Sequence, residues 1–364
     1  MALPTRALFL SVVVVLLIGE VAAAHAVTRS DTQATAVPAR PLTPPPLRTF
    51  TFVGGGDIAL TGNADARVLA GITRYLRLAD LAIGNLEGAL ATSGTSKCGP
   101  SASDCFTFRG SPLWATALRK TGFRVLNVAN NHALDYGTEA QHETLAALRR
   151  ARIIHQGLPG QIAYVHAGTV KVGLIGCAPY RWAQSLLDID ETARLVRMAA
   201  QHAEVVLVYM HAGAEGTDAG HVRGVDETYL GEARGNAQEF AHAMVRAGAD
   251  LVFGSGPHVL RGIEWYRGRL IAYSLGNLAG THTLSTSGSL GESVLLRVTL
   301  DERGSLKTGS LVPLRLVGAG TPVFDARGAS ITRIRALSRE DFGTKAMRMS
   351  ASGKLAAPGS SATP

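Results

Sequence analysis

Cysteine is scarce in this sequence, three in 364 residues, and none follows a strand-like run that ends in carboxylate or imidazole groups. That disfavours a structural zinc site built on thiolates. Lysine is scarce too: six of the 36 basic residues are lysines, so the net charge of +8 reflects an arginine bias as much as a designed surface. A polyanionic partner is permitted by that charge but not shown by it. Aromatic residues make up 6% and do not interleave with basic runs, so the stacking groove of a nucleic-acid binder is not expected. No internal repeat and no second long apolar span follow the N-terminal one. The "GGGD" ending at Asp57 lacks the later Gly-Lys-Ser/Thr of a phosphate loop, and Ser255 in "GSG" does not sit in a Gly-x-Ser-x-Gly elbow.

With 46% hydrophobic residues the chain can bury a substantial core. Arg6, an apolar run from Ala7 to Ile18 and the small-residue pattern Ala24-His25-Ala26 mark residues 1–26 as a secretory signal peptide. The other reading is an uncleaved segment that anchors the chain to a membrane. The expected location is exported: periplasmic, cell-surface or membrane-anchored. Residues 27–48 carry five prolines, Pro38 to Pro46, and read as a solvated linker. The chemistry is expected in one domain over residues 49–318. Residues 319–364 are expected to be an extension, disordered from about Gly343, where Ser, Ala, Gly and Lys dominate. Cys98 and Cys105 fit an oxidising compartment and can close a small disulfide ring; Cys177 ends an apolar run and reads as a buried thiol.

Apolar strand-like runs alternate with helical patterns, which implies an α/β fold with a largely parallel sheet. "RTFTFVGG" is followed by Asp57, "DLAIG" by Asn85 and Glu87, "FRVLNVA" by Asn130, Asn131 and His132, "EVVLVYM" by His211, and "DLVFGSG" by His258. In open α/β sheets the carboxyl ends of the strands share one edge, so these scattered residues can converge. Each ending taken singly also reads as a helix cap or a hydrogen-bonded histidine. Five in succession are harder to obtain from caps alone. Three further segments, residues 162–177, 263–277 and 291–317, read as hairpins turning at glycine, with His166 exposed near the first turn.

Carboxylates and imidazoles without thiolate suit Mn, Fe or Zn in a hydrolytic centre, with two ions favoured over one. Asp57 or Glu87 can bridge a metal pair, Asn131 offers a neutral oxygen, and His211 and His258 offer nitrogens. His132 can protonate a leaving group, and Asp135, three residues on, can orient that imidazole. Asp135 equally reads as the cap of a helix starting at Gly137.

The ordered blocks "GGDIALTG", "GNLEGAL", "VANNHALDYG", "HAGAEG", "GSGPHVLRGIE" and "AYSLGNL", spread over residues 50–280, resemble the CapA family of bacterial capsule or poly-gamma-glutamate synthesis proteins. The resemblance implies a four-layer α/β/β/α sandwich of the calcineurin-like metallo-dependent phosphatase type. It implies Asp57, Glu87, Asn131, His211 and His258 as metal ligands and His132 as general acid. Glu215, Ser274 and Asn277 match family positions and are implied to bind substrate or shape the site wall. Two departures stand out: Gly254-Ser255-Gly256-Pro257-His258 replaces Gly-His-His-Pro-His, and Ala212 stands where tryptophan is common. If a missing histidine is a ligand in relatives, a second metal is held weakly or not at all. His221 and His282 have no local sequence that makes them replacements.

The resemblance implies an exported, metal-dependent hydrolase or transferase that handles an anionic exopolymer such as poly-gamma-glutamate. A metallophosphoesterase acting on a phosphorylated envelope substrate is the first alternative. A non-catalytic polyanion-binding envelope protein with a degraded metal site is the second.

Overall fold

The computed structural model describes residues 46–99 and 105–359. The expected signal peptide and most of the expected linker lie outside the described residues. Among the described residues no helix is long and apolar enough to cross a membrane.

Two sheets stack face to face. The first has ten strands and is mixed: Thr49–Ala59, Leu81–Leu86, Val125–Asn127 and Ile154–Gln156 run parallel, while Glu292–Asp301 and Leu306–Val317 join antiparallel. The second has six strands, with Val170–Cys177, Val205–His211, Leu251–Ser255 and Arg269–Ala272 parallel at its centre. The three glycine-turned hairpins all form, as expected, and complete the two sheets with antiparallel strands.

Side-chain alternation along the strands sets the layers. Phe50, Phe52, Ile83 and Val125 of the first sheet meet Val172, Leu207, Tyr209 and Phe253 of the second in one buried cluster. The opposite face of the first sheet, with Ala82, Leu126 and Leu295, is covered by Ile72, Leu76, Trp114, Leu118 and Leu148 from helices Ala70–Arg77, Trp114–Thr121 and Gly137–Arg150. The outer face of the second sheet is covered by helices Ile189–His202 and Ala237–Ala247 through Leu195, Val196, Phe240 and Met244. The result is the expected four-layer α/β/β/α sandwich. Each of these large side chains contributes roughly 1.5–3 kcal/mol relative to exposure. Asp188 and Asn236 start the latter two helices by accepting from the N–H groups of Glu191 and Glu239 at 3.0 and 3.1 Å.

The expected boundary at residue 318 and the expected disorder from Gly343 are both corrected. Strand Thr321–Phe324, helix Ala329–Phe342 and strands Arg348–Met349 and Lys354–Ala356 follow, and three of these strands pair within the first sheet. Ile331, Ile334, Met347, Met349 and Leu355 bury their side chains in the inter-sheet cluster. Spaced among small and polar residues, they give little composition signal, yet they suffice to dock the segment. Cys98 and Cys105 form the expected disulfide, Cys177 is buried and free, and His166 is exposed.

Candidate metal centre

The glycine run before Asp57 explains how the first strand delivers that carboxylate. A Cβ on Gly56 would lie 1.8 Å from the carbonyl oxygen of Gly276, so only glycine lets the "YSLGN" loop pack against the strand. That contact sets Asp57 opposite Asn277. A register shift between Gly54 and Asp57 then bends the strand and re-aims its end.

Five strand ends converge on this point, as the sequence order implied. Asp57 is fully buried; His258 Nδ1 lies 3.3 Å from its Oδ2 and His211 Nδ1 lies 3.6 Å from its Oδ1. Glu87 Oε1 lies 3.7 Å from His211 Nε2 and 3.8 Å from His258 Nε2. His211 Nε2 also faces Asn131 Oδ1 at 3.0 Å. Asp57, Glu87 and His258 offer three donor atoms within 4.8 Å of one another.

Charge makes this cluster unusual for a protein interior. Burial pushes the Asp57 carboxyl up, but His211 and His258 outweigh it and hold it well below the ordinary range. Glu87 is pushed well above the carboxylate range, first by burial and then by Asp57. Burial alone would lower His258, yet Glu87 and Asp57 raise it to about 10. Both oxygens of Glu87 are buried without a hydrogen-bond partner. An orphaned carboxylate of this kind is costly unless a cation occupies the space between it and its neighbours. The donor set, carboxylate, imidazole and amide oxygen without sulfur, fits a divalent metal of the Mn, Fe or Zn kind.

An asparagine ladder fixes the ligands from behind. Asn85 donates from Nδ2 to Asp57 Oδ1 at 2.8 Å, and its Oδ1 accepts from Asn127 at 2.8 Å and Asn130 at 3.0 Å. Asn130 also donates to the Leu86 carbonyl at 2.8 Å and accepts from the His132 N–H at 3.0 Å. Asn127 had no role assigned from sequence; its signal was an amide at the last position of an otherwise apolar strand. His258 sits at φ +59 and meets Asn277 Oδ1 through Nδ1 at 2.8 Å, a strained backbone held in place by its neighbours.

His132 is buried beside the cluster, with its Nδ1 2.8 Å from Asp135 Oδ2 and its ring 4.4 Å from that of Phe108. Asp135 also accepts from the Phe108 N–H at 2.7 Å and pairs with Lys97 Nζ at 2.7 Å. Burial lowers the His132 pKa despite Asp135. Of the two readings of Asp135, the structure realises the orienting one: Tyr136 occupies the N-cap of helix Gly137–Arg150, and no side chain caps it.

Glu215 reaches the centre from the side, with Oε2 3.6 Å from His258 Nε2 and Oε1 2.7 Å from Arg234 Nη1. Ser274 and Asn277 make hydrogen bonds within the protein. Ser274 donates to the Val259 carbonyl at 2.7 Å, and Asn277 is spent on His258 and on the Leu290 carbonyl at 3.1 Å. Both are buried, a placement that fits shaping of the wall, one of the two roles implied for them. Ser255 hydrogen-bonds the Tyr209 hydroxyl at 2.7 Å, and Gly256 offers only its N–H, 3.3 Å from Asp57 Oδ2. His221 is occupied elsewhere, with Nδ1 2.7 Å from Asp341. His221 is therefore not a replacement for the imidazoles absent at 255 and 256. Lys97 and Arg234 were missed because neither follows a sheet strand of the central alternation.

Comparison with known proteins bears on the same blocks. The family described as "Bacterial capsule synthesis protein PGA_cap" matches residues 15–281. The PGA biosynthesis protein CapA of Bacillus subtilis is 32% identical over 177 residues, 44% of this chain and 43% of that protein. The capsule biosynthesis protein CapA of Bacillus anthracis is 28% identical over 222 residues, 58% of this chain and 52% of that protein. The chain thus spans about half the length of these curated relatives. Among solved structures, a 5'-nucleotidase precursor from Thermus thermophilus superposes with a TM-score of 0.45 at 15% identity, over 80% of this chain and 59% of that one.

Proposed function

The chain belongs to the bacterial capsule synthesis protein family, and we propose that it is a metal-dependent hydrolase or transferase acting on an anionic exopolymer of the gamma-glutamyl kind. The observation that carries this reading is Glu87: a buried carboxylate with no hydrogen-bond partner, set between two imidazoles and beside Asp57. Asp57, Glu87 and His258 would hold one divalent ion; Glu87, Asn131 and His211 would hold a second. Such ions supply Lewis-acid polarisation and a water of lowered pKa.

The chain's own residues do the rest. Asp135 fixes His132 through Nδ1, which leaves Nε2 to hold or release a proton toward a leaving group. The relatives' printed names, PGA and capsule biosynthesis, support the substrate class. Export to an oxidising compartment is part of the proposal and is supported by the Cys98–Cys105 disulfide.

A non-catalytic polyanion-binding role is the second reading, favoured by one observation: positions 255 and 256 add no imidazole to the centre. Incubation of the full chain with poly-gamma-glutamate, with and without chelator, separates the two. Chelator-sensitive change in polymer length or attachment supports the enzyme; metal-independent binding without any covalent change sinks it.

A further inference from the structure

The centre opens to solvent through a cleft of about 190 Å³ lined by Lys97, Phe106, His132, Glu215, Leu230 and Arg234, among others. Two cations stand in this lining, each paired with a carboxylate: Lys97 with the buried Asp135 behind it, and Arg234 with Glu215 and Glu232, which line the cleft themselves. Lys97 Nζ pairs with Asp135 Oδ1 at 2.7 Å and donates to the Asn131 carbonyl at 3.2 Å. An ammonium has three donors, so one remains. Arg234 is only 3% exposed, with Nη1 2.7 Å from Glu215 Oε1 and Nη2 3.3 Å from Glu232 Oε2. Its Nε–H is buried and has no partner. A guanidinium carries five donors in a fixed fork, and two carboxylates in contact leave most of that capacity unused.

These anchors do not merely neutralise the cations; they hold them still, which reduces the ordering cost of binding a ligand. Glu215 is also shared with the centre, 3.6 Å from His258 Nε2, so its charge is not Arg234's alone. Tyr180 and Tyr229 flank the guanidinium, with ring centroids 5.9 and 5.3 Å from its carbon.

Two large apolar side chains also stand exposed in the lining, beside Lys97 and Glu232. Phe106 is 64% exposed and Leu230 69% exposed, the latter at φ +49 between strands Glu227–Tyr229 and Glu232–Gly235. Two large apolar side chains held in water beside two fixed cations match a ligand with an acidic group next to an aliphatic stretch.

We propose that Lys97 and Arg234 form an oxyanion subsite beside His132, taking a carboxylate or phosphate that a short aliphatic segment joins to the scissile group. The position relative to the leaving group rests on the hydrolase or transferase reading; the subsite itself does not. It makes Lys97 and Arg234 determinants of specificity and leaves the metal ligands to the reaction.

The test is calorimetric binding to the full chain, metal-supplied and chelated, using three probes: an N-acetylated gamma-glutamyl tetramer, the same tetramer with every carboxyl amidated, and glycerophosphoglycerol. Lys97→Gln and Arg234→Lys are each expected to weaken an anionic probe about tenfold, since each removes one charge-assisted contact or its fork geometry. The amide should bind weakly and equally to all variants. Tetramer binding identifies a carboxylate subsite, and glycerophosphoglycerol binding a phosphate one. Should Arg234→Lys lower the melting midpoint, Lys97→Gln alone decides, because Lys97 is partly exposed. Affinities unchanged in the folded variants, or no binding of either anion by the wild type, overturn the subsite. Loss of turnover in Asp57→Ala with Lys97-dependent binding intact would leave the subsite standing; metal-free protein with full turnover would sink the metal dependence of the hydrolase or transferase reading and leave the subsite untouched.

Discussion

His132 and Asp135 meet at 2.8 Å, Nδ1 to Oδ2, inside a wall closed by the Phe108 ring and the Lys97 ammonium. The contact fixes which imidazole nitrogen is free to exchange a proton. Asp135→Asn keeps the shape and reverses the hydrogen-bond polarity. Polymer turnover should fall about 10²–10⁴-fold in Asp135→Asn and in His132→Ala, the range for a general acid and its orienting group. Elemental analysis should find metal content unchanged in both, since neither residue is among the donors. Full activity in both variants would remove His132 from the chemistry.

Glu87 carries the opposite expectation. Glu87→Gln removes a carboxyl whose ionised form is disfavoured by burial and by Asp57 when no cation is present, so the metal-free variant should melt higher than metal-free wild type at neutral pH. Added Mn or Zn should then raise the wild type by about 2.7 kcal/mol at a hundredfold excess over Kd and leave the variant nearly unmoved. Differential scanning calorimetry checks both arms. A metal-induced shift of equal size in the two proteins would contradict the role given to Glu87.

The pH dependence of the chelated protein follows from His258. Its folded pKa of about 10 exceeds the ordinary 6.5, so the folded state binds the proton more tightly. The stability this adds is complete below about pH 6.5 and is lost as pH rises toward 10. Glu87, also raised, acts in the same direction. The melting midpoint of chelated protein should therefore fall across that window, and the fall should shrink in His258→Asn. Asp57, depressed, acts in the opposite sense: its stabilisation is complete above the ordinary carboxylate value of 3.8 and is lost as pH falls below it.

Gly256 is at φ +117, and a Cβ there would lie 2.9 Å from the Ala212 nitrogen. Gly256→Ala is expected to lower stability by about 1–3 kcal/mol through backbone strain. It should also loosen the N–H contact to Asp57. Denaturant unfolding measures the first effect, and an unchanged midpoint would show that the loop relaxes freely.

Much of the centre was legible because strand ends are legible. An apolar run that stops at Asp57, Glu87, Asn131, His211 or His258 places its polar residue at a known edge, and parallel order makes those edges coincide. Arg234 was hidden because it lies on a small hairpin outside the two large sheets, where no apolar period announces it. Asn127 and Lys97 act through partners that only the fold brings near. The roles of Ser274 and Asn277 depended on which way buried side chains point, which a motif does not contain. The closing strands at 348–356 were lost in a composition of small residues, although Met349 and Leu355 supply the packing.

The most direct test of the central claim is the metal content of the purified full chain after mild dialysis, measured beside Asp57→Ala. The account predicts stoichiometric transition metal in the wild type and its loss in the variant, with both proteins folded. Metal absent from the wild type under micromolar supply, or retained equally by Asp57→Ala, would contradict it.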